Sequence, residues 1–174
     1  MTNPWKLLSQ ETIFEKYGRK VVKRNYEMPN GKIADFYIKE EKDAACVLAL
    51  TPEKEVILVR QFRPGPNKVL LELPGGVVDD TNPKEVISKE LTGETGYEGS
   101  VEFVGECVME GYTKRNKYCY VAKDCRKVTK QNLEDTEFLE VVIMPLSKFR
   151  EHLKTGQLTD MEVGYLALDY LDLL

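Results

Sequence analysis

A chain of 174 residues, 42% hydrophobic and 31% charged, has the makeup of one soluble domain with a full core and room for a small appendage. Its formal net charge of −4 supplies no global positive field, which excludes nucleic acid and anionic lipid as partners drawn by bulk charge; an anionic ligand must be met by local arginines or a metal. No apolar run approaches the length of a bilayer span, and Met1-Thr-Asn-Pro-Trp-Lys6 lacks the apolar stretch of a signal peptide, so the cytoplasm is the expected compartment.

Residues 1–40 read as a small antiparallel β unit, with strands over 20–27 and 32–39 joined by Met28-Pro-Asn-Gly31. Asn and Gly both tolerate positive φ, which makes this a strong hairpin turn. The second strand alternates Ile33, Asp35 and Tyr37 with Ala34, Phe36 and Ile38, giving one apolar face. An isolated hairpin is marginal in water, so this unit needs a partner surface, with Val22, Ile33, Phe36 and Ile38 as the apolar side chains on offer. Residues 41–174 form the main domain. Strands are expected over 44–50, 56–62, 69–73, 101–109, 117–122 and 138–144, with Pro145 ending the last. Helices are expected over 146–155 and 160–173, the second capped by Thr159. Strands of mixed spacing with few helices point to an α+β domain.

The cysteines Cys46, Cys107, Cys119 and Cys125 contain no C-x-x-C pair, so free thiols are expected. The one histidine, His152, falls on a short amphipathic helix beside Leu146, Phe149 and Leu153, where a solvated helix face explains it. Chemistry must therefore rest on carboxylates, arginine or metal.

The informative stretch runs from Gly75 to Tyr97 and reads as loop, helix, loop. Asn82 suits the N-cap, Pro83 the first helical position, and Glu85 completes a capping box. The apolar stripe is Val86, Ile87 and Leu91, and the helix is expected to stop near Thr92, ended by Gly93 and Gly96. Glu90 and Glu94 lie four apart and so leave one helix face. Two carboxylates beside a glycine-rich loop can hold Mg²⁺ together with a substrate phosphate; on spacing alone, a solvated acidic face accounts for them better.

The whole segment resembles the Nudix box G-x5-E-x7-R-E-U-x-E-E-x-G-U, with Gly75, Glu90, Leu91, Glu94, Gly96 and Tyr97 in register. Around it, Leu58-Val-Arg-Gln-Phe-Arg63 followed by Leu71-Glu-Leu-Pro-Gly-Gly76 is similar to the approach to the box in the ADP-ribose pyrophosphatases. Tyr26-Glu-Met-Pro-Asn-Gly31, Glu137-Phe-Leu-Glu-Val141 and Gly156-Gln-Leu-Thr-Asp160 extend the resemblance over nearly the whole chain. Three positions depart from the box: its first acid is Thr81 or Asn82, its arginine is Lys89, and the first glutamate of its pair is Gly93. The region Cys107–Thr113 also lacks the proline that the ADP-ribose subgroup tends to carry.

The resemblance implies an α/β/α sandwich of mixed sheets with a small N-terminal antiparallel β subdomain, and a homodimer built through that subdomain. It implies Mg²⁺, with Mn²⁺ as the alternative, held by Glu90, Glu94 and the backbone carbonyl of Gly75, at a site expected on the surface. Arg63, and more weakly Arg60, would meet the substrate's phosphates. Asp135 and Glu137 match the place of a further loop acid, as base and additional ligand. The activity implied is hydrolysis of a nucleoside diphosphate derivative such as ADP-ribose or a nucleotide sugar. The altered box leaves two rivals: a nucleotide-binding module without chemistry, and a hydrolase of another diphosphate.

Overall fold

The computed structural model describes residues 3–79 and 81–174, so the first two residues of the N-terminal reading and Asp80 in the box loop lie outside the described residues. Two compact units divide the chain: Met1–Asp43 with Val108–Asn116, and Ala44–Cys107 with Lys117–Leu174.

The smaller unit is a sheet of β1 (Lys6–Lys16), β2 (Arg19–Glu27), β3 (Ile33–Glu40) and β9 (Thr113–Lys114), in that spatial order. The first three strands are antiparallel, and β9 joins β3 in parallel, Lys39 beside Thr113. The expected turn forms at Met28–Gly31, where Gly31 adopts φ 76° and its N–H donates to Met28 O at 2.9 Å. β1 has no counterpart in the sequence reading. Its pairing with β2 slips between Leu7 and Ser9 and again between Thr12 and Phe14, and each slip breaks the alternation that marks a strand. Tyr17 and Gly18, at φ 51° and 71°, close that hairpin as a tight two-residue turn. Trp5, Tyr26, Phe36 and Tyr112 form a chain of ring contacts at 5.3–6.3 Å between centroids. Val22, expected among the exposed apolar residues, is instead buried, and among the described residues it is the one apolar side chain of this unit that is. Every residue of β1 is exposed.

The larger unit is built on β4 (Ala44–Leu50), β5 (Glu55–Arg63), β6 (Lys68–Glu72), β7 (Gly75–Val77), β8 (Tyr97–Val108), β10 (Asn116–Lys127) and β11 (Leu139–Pro145). The main path runs β11-β5-β4-β10-β8, with β6 on β5 and β7 on β4. The sheet is mixed: β4 is parallel to β10 and antiparallel to β5 and β7. All of β4 is buried, and its side chains alternate between two cores. Ala45, Val47 and Ala49 pack with Ile87 and Leu91 of α1 (Pro83–Thr95). Cys46, Leu48 and Leu50 pack with Phe149 and Leu153 of α2 (Leu146–Leu153) and Val163, Ala167 and Leu168 of α3 (Met161–Tyr170). The result is a helix–sheet–helix sandwich. Among the described residues, no helix is long and apolar enough to cross a membrane.

Two local expectations are corrected. His152 is half-buried on α2, and its Nε2 is buried without a partner, so the ring is not on a solvated face. Thr159 does not cap α3; Asp160 holds the N-cap position without a side-chain cap bond, and Thr159 Oγ1 donates to its carboxylate. The reason lies in β10. Lys117 Nζ, nearly sealed from solvent, reaches Asp160 Oδ1 at 2.6 Å and Glu162 Oε1 at 2.5 Å, drawing both acids of the helix start to the sheet. Removing the cation alone would leave the mostly buried Asp160 carboxylate unpaired, while Glu162, about a third exposed, would fall back on water. Lys117→Met should therefore cost about 3 kcal/mol of stability, read as a lower urea midpoint; an unchanged midpoint would remove this clamp from the account of how α3 docks.

Candidate active site

α1 starts as its sequence directs, with Asn82 Oδ1 accepting from Lys84 N at 2.9 Å and Pro83 in the first turn. It does not stop at Gly93. The helix continues to Thr95, and Gly96, at φ 77°, caps it with its N–H on Thr92 O. The carbonyls at this end are taken by the segment that follows β10. Gly93 O accepts from Asn132 N at 2.9 Å, Gly96 O from Val128 N and Thr129 N, and Glu94 O from Gln131 Nε2 at 2.7 Å. These bonds satisfy groups that a helix end otherwise leaves orphaned, and they offset the cost of about 1 kcal/mol for an interior glycine.

The extra turn keeps Glu90 and Glu94 in helical register against the glycine loop. Glu94 Oε2 accepts from Gly75 N at 3.1 Å, and a Cβ on Gly76 would overlap the Glu90 carboxylate. On its other side the loop lies against β4, where a Cβ on Gly75 would come within 2.7 Å of Ala45 O. Gly75 is required by close approach to backbone, whereas a side chain at Gly76 would push the Glu90 carboxylate out of its place. The expectation of a surface site fails for Glu94, which is only 6% exposed.

Burial dominates the electrostatics. It pushes the Glu94 carboxyl up to about 8; the Gly75 N–H and Arg63 oppose the shift, while Glu90 and Glu137 add to it. Glu90 is also raised, by burial first and then by Glu137 and Glu134, with Lys89 opposing. Glu137 thus acts on both box carboxylates. Its Oε2 accepts from Glu134 N at 2.9 Å, which folds the loop onto itself. Asp135 lies in the same loop as an exposed residue.

The two arginines part ways. Arg63 binds Glu72 through Nε at 2.8 Å and Nη2 at 2.5 Å, and Arg63 acts on Glu94 through its charge. Its pKa is raised, first by that hydrogen bond. Arg60 is half-exposed and pairs at 3.0 Å with Glu140, its direct neighbour across β5 and β11. Glu72 is a site residue outside the box and its expected partners. It is 1% exposed and also receives Gln61 Nε2 at 2.9 Å. Its signal was present: a lone acid inside the apolar run Val69–Leu73, nine positions after Arg63.

A hard divalent cation suits these donors, because carboxylates crowd here: after burial, Glu137 adds to the raised pKa of both Glu90 and Glu94, and Glu90 to that of Glu94. Among the described residues, no three Asp, Glu, His or Cys side chains are disposed to hold a metal ion as they stand. A cation such as Mg²⁺ needs only one or two protein carboxylates, because water and substrate phosphate supply its remaining ligands.

Residues 40–163 match the NUDIX domain. The chain belongs to the Nudix family. It is 27% identical over 172 residues to the ADP-ribose pyrophosphatase of Bacillus subtilis (strain 168), covering 97% of this chain and 92% of that one. The same identity and coverages hold for the methanol dehydrogenase activator of Bacillus methanolicus. The GDP-mannose pyrophosphatase of Escherichia coli (strain K12) is 32% identical over 138 residues, 74% of this chain and 72% of that one. A solved structure described as an ADP compounds hydrolase shares the fold, with a TM-score of 0.81 at 18% identity over 100% of this chain and 99% of that one. The chain is thus a Nudix pyrophosphohydrolase of ADP-ribose pyrophosphatase-like type.

The raised Glu94 carboxyl has a thermodynamic consequence in the Nudix domain. The folded state holds this proton up to about pH 8, while the unfolded chain releases it near 4.5, so with chelator present stability should fall as pH rises between these values. The slope from this one group is at most about 1.4 kcal/mol per pH unit. Glu94→Gln, which keeps an acceptor for Gly75 N–H, should flatten that part of the profile and be the more stable protein at pH 9. Parallel urea titrations of the two proteins check this; identical profiles would mean that Glu94 is solvated.

Proposed function

We propose that the protein hydrolyses a nucleoside diphosphate derivative, ADP-ribose or a nucleotide sugar, to a nucleoside monophosphate and a sugar phosphate. The observation that carries this reading is the placement of Glu90 and Glu94, one turn apart, against the Gly75–Gly76 loop with Arg63 acting on the same site. The relatives named for ADP-ribose and GDP-mannose hydrolysis support the substrate class.

Glu90 and Glu94, with the Gly75 carbonyl, would hold Mg²⁺ or Mn²⁺, which supplies positive charge to a diphosphate. Arg63 is the phosphate-binding side chain in this reading: Glu72 holds its Nε and Nη2, leaving Nη1 as donor to a phosphate oxygen. Glu137 is the better base than Asp135, because it is the loop acid that acts on both box carboxylates. Its place is to take the proton of the attacking water. Arg60, occupied by Glu140 on the strand surface, is a weaker phosphate ligand. A panel of ADP-ribose, GDP-mannose and other nucleotide sugars, with Mg²⁺ or Mn²⁺ and nucleoside monophosphate release as readout, tests the reading. Glu94→Gln should abolish turnover of whichever substrate is cleaved, and full activity in that variant would overturn the site assignment.

Gly93 bears on the rival reading of a binding module that has lost its chemistry. It is helical, and a Cβ built there meets only Asn132 O, at an ordinary 3.7 Å. The position is thus free to carry a side chain toward the loop that holds Glu134 and Glu137. Gly93→Glu should tighten Mg²⁺ binding and raise hydrolysis at least about tenfold, about 1.4 kcal/mol in transition-state stabilisation. Equal rates at saturating Mg²⁺ would mean that the site does not lack a carboxylate.

The smaller unit supports a homodimer in the cytoplasm. Leu7, Leu8, Ile13 and Phe14 of β1, together with Ile33 and Tyr37, are exposed, more apolar surface than a monomer leaves bare, and four free thiols suit a reducing compartment. Sedimentation at micromolar concentration should give twice the chain mass; a monomer there would count decisively against the dimer.

A further inference from the structure

Two of the four thiols are in contact. Cys107 Sγ on β8 and Cys119 Sγ on β10 lie 3.5 Å apart in the larger unit. Cys46 is the cross-strand neighbour of Cys119 on β4, but its Sγ is directed to Leu73 O at 3.9 Å; the Cys125 thiol is hydrogen-bonded to the backbone of Leu50. Cys119 is sealed from solvent, while Cys107 is half-buried and keeps some access. We propose that Cys107 and Cys119 form an oxidative modification site, which peroxides convert to an intramolecular disulfide.

The sulfurs need only close from van der Waals contact to about 2.05 Å, and the strands that carry them, β8 and β10, are hydrogen-bonded neighbours. The chemistry is a two-electron oxidation of the pair. The Cys107 thiolate attacks a hydroperoxide; its sulfur takes an OH, and the O–O bond breaks to release an alcohol or water. The Cys119 sulfur then attacks the Cys107 sulfur, the S–S bond forms, the S–O bond breaks, and water leaves with the Cys119 proton. With hydrogen peroxide the balance is two thiols and one peroxide to one disulfide and two waters. Access assigns the order, since only Cys107 meets solvent. In the reduced pair, burial first and then the bond to Cys107 raise the Cys119 thiol to about 12, which also makes Cys119 the resolving and not the attacking sulfur.

The position of the pair gives the cross-link a consequence. The chain leaves the larger unit after Cys107 and re-enters it at Lys117, so the loop closed between Cys107 and Cys119 contains the whole Val108–Asn116 segment of the smaller unit. The disulfide ties the departure and return points of that excursion together. Restricting this loop in the unfolded chain should raise the Tm by roughly 5 °C.

Full-length reduced protein treated with millimolar hydrogen peroxide should lose the mass of two thiol hydrogens, yield a Cys107–Cys119 peptide under non-reducing digestion, and melt at higher temperature until dithiothreitol is added. Cys107→Ser, a near-isosteric change at the half-buried position, should show none of these changes while keeping the untreated melting point. Cys119→Ala serves as second variant and should leave Cys107 to accumulate as sulfinic acid under the same treatment. Sulfinic acid at Cys107 in the wild-type protein, a disulfide through Cys46 or Cys125, or unchanged mass would each overturn the proposal.

Discussion

The site depends on how the C-terminal end of α1 is held. Four hydrogen bonds from residues 128–132 fall on the carbonyls of Gly93, Glu94 and Gly96. They do two things at once. They satisfy the helix end so that one more turn survives past a glycine, which sets the angle at which Glu94 enters the core. They also fix the start of the loop whose later residue, Glu137, presses its charge on Glu90 and Glu94. Helix register and loop placement are therefore one constraint: a shift in either would move the carboxylates relative to one another.

Much of this was readable in advance, and the parts that were not have specific causes. The start of α1 follows from Asn82 and Pro83 because capping is local chemistry, complete within three residues. The turn at Pro29-Asn30-Gly31 is legible for the same reason. Gly93 misled because its local preference says stop, while the partners that carry the helix through lie about 40 residues away at Asn132. Thr159 misled likewise: its capping preference lost to a buried lysine on another strand. β1 was invisible since none of its residues is buried, so no apolar face marks it, and two bulges break what alternation remains. Pairing of Glu90 with Glu94 was legible from helical spacing, but the burial that raises Glu94 was not, because nothing in the spacing says that a glycine loop will close over it.

Glu72 shows a different kind of concealment. A buried carboxylate is costly unless it is fully bonded, and here Arg63 and Gln61 supply the bonds. The strand pairing makes this possible by bringing β6 back along β5, with Val59 opposite Glu72 and Arg63 opposite Lys68. The arginine is thereby held in one orientation by a residue that itself never meets solvent. A planar guanidinium held by a carboxylate through two of its nitrogens is a fixed object, which a lysine in the same place would not be.

The central pairing of the larger sheet has a bearing on how the chain reaches its fold. β4 is buried along its whole length, and its parallel partner β10 begins about 70 residues later, Ala44 beside Lys117. Antiparallel neighbours β5 and β7 arrive early, but one edge of the most apolar strand in the molecule has no backbone partner until two-thirds of the chain has been made. Closure of so long a loop precedes any gain from it, so assembly of this sheet belongs to the slow, non-local class, and the waiting edge of β4 is where a nascent or heated chain is most exposed to pairing with its neighbours.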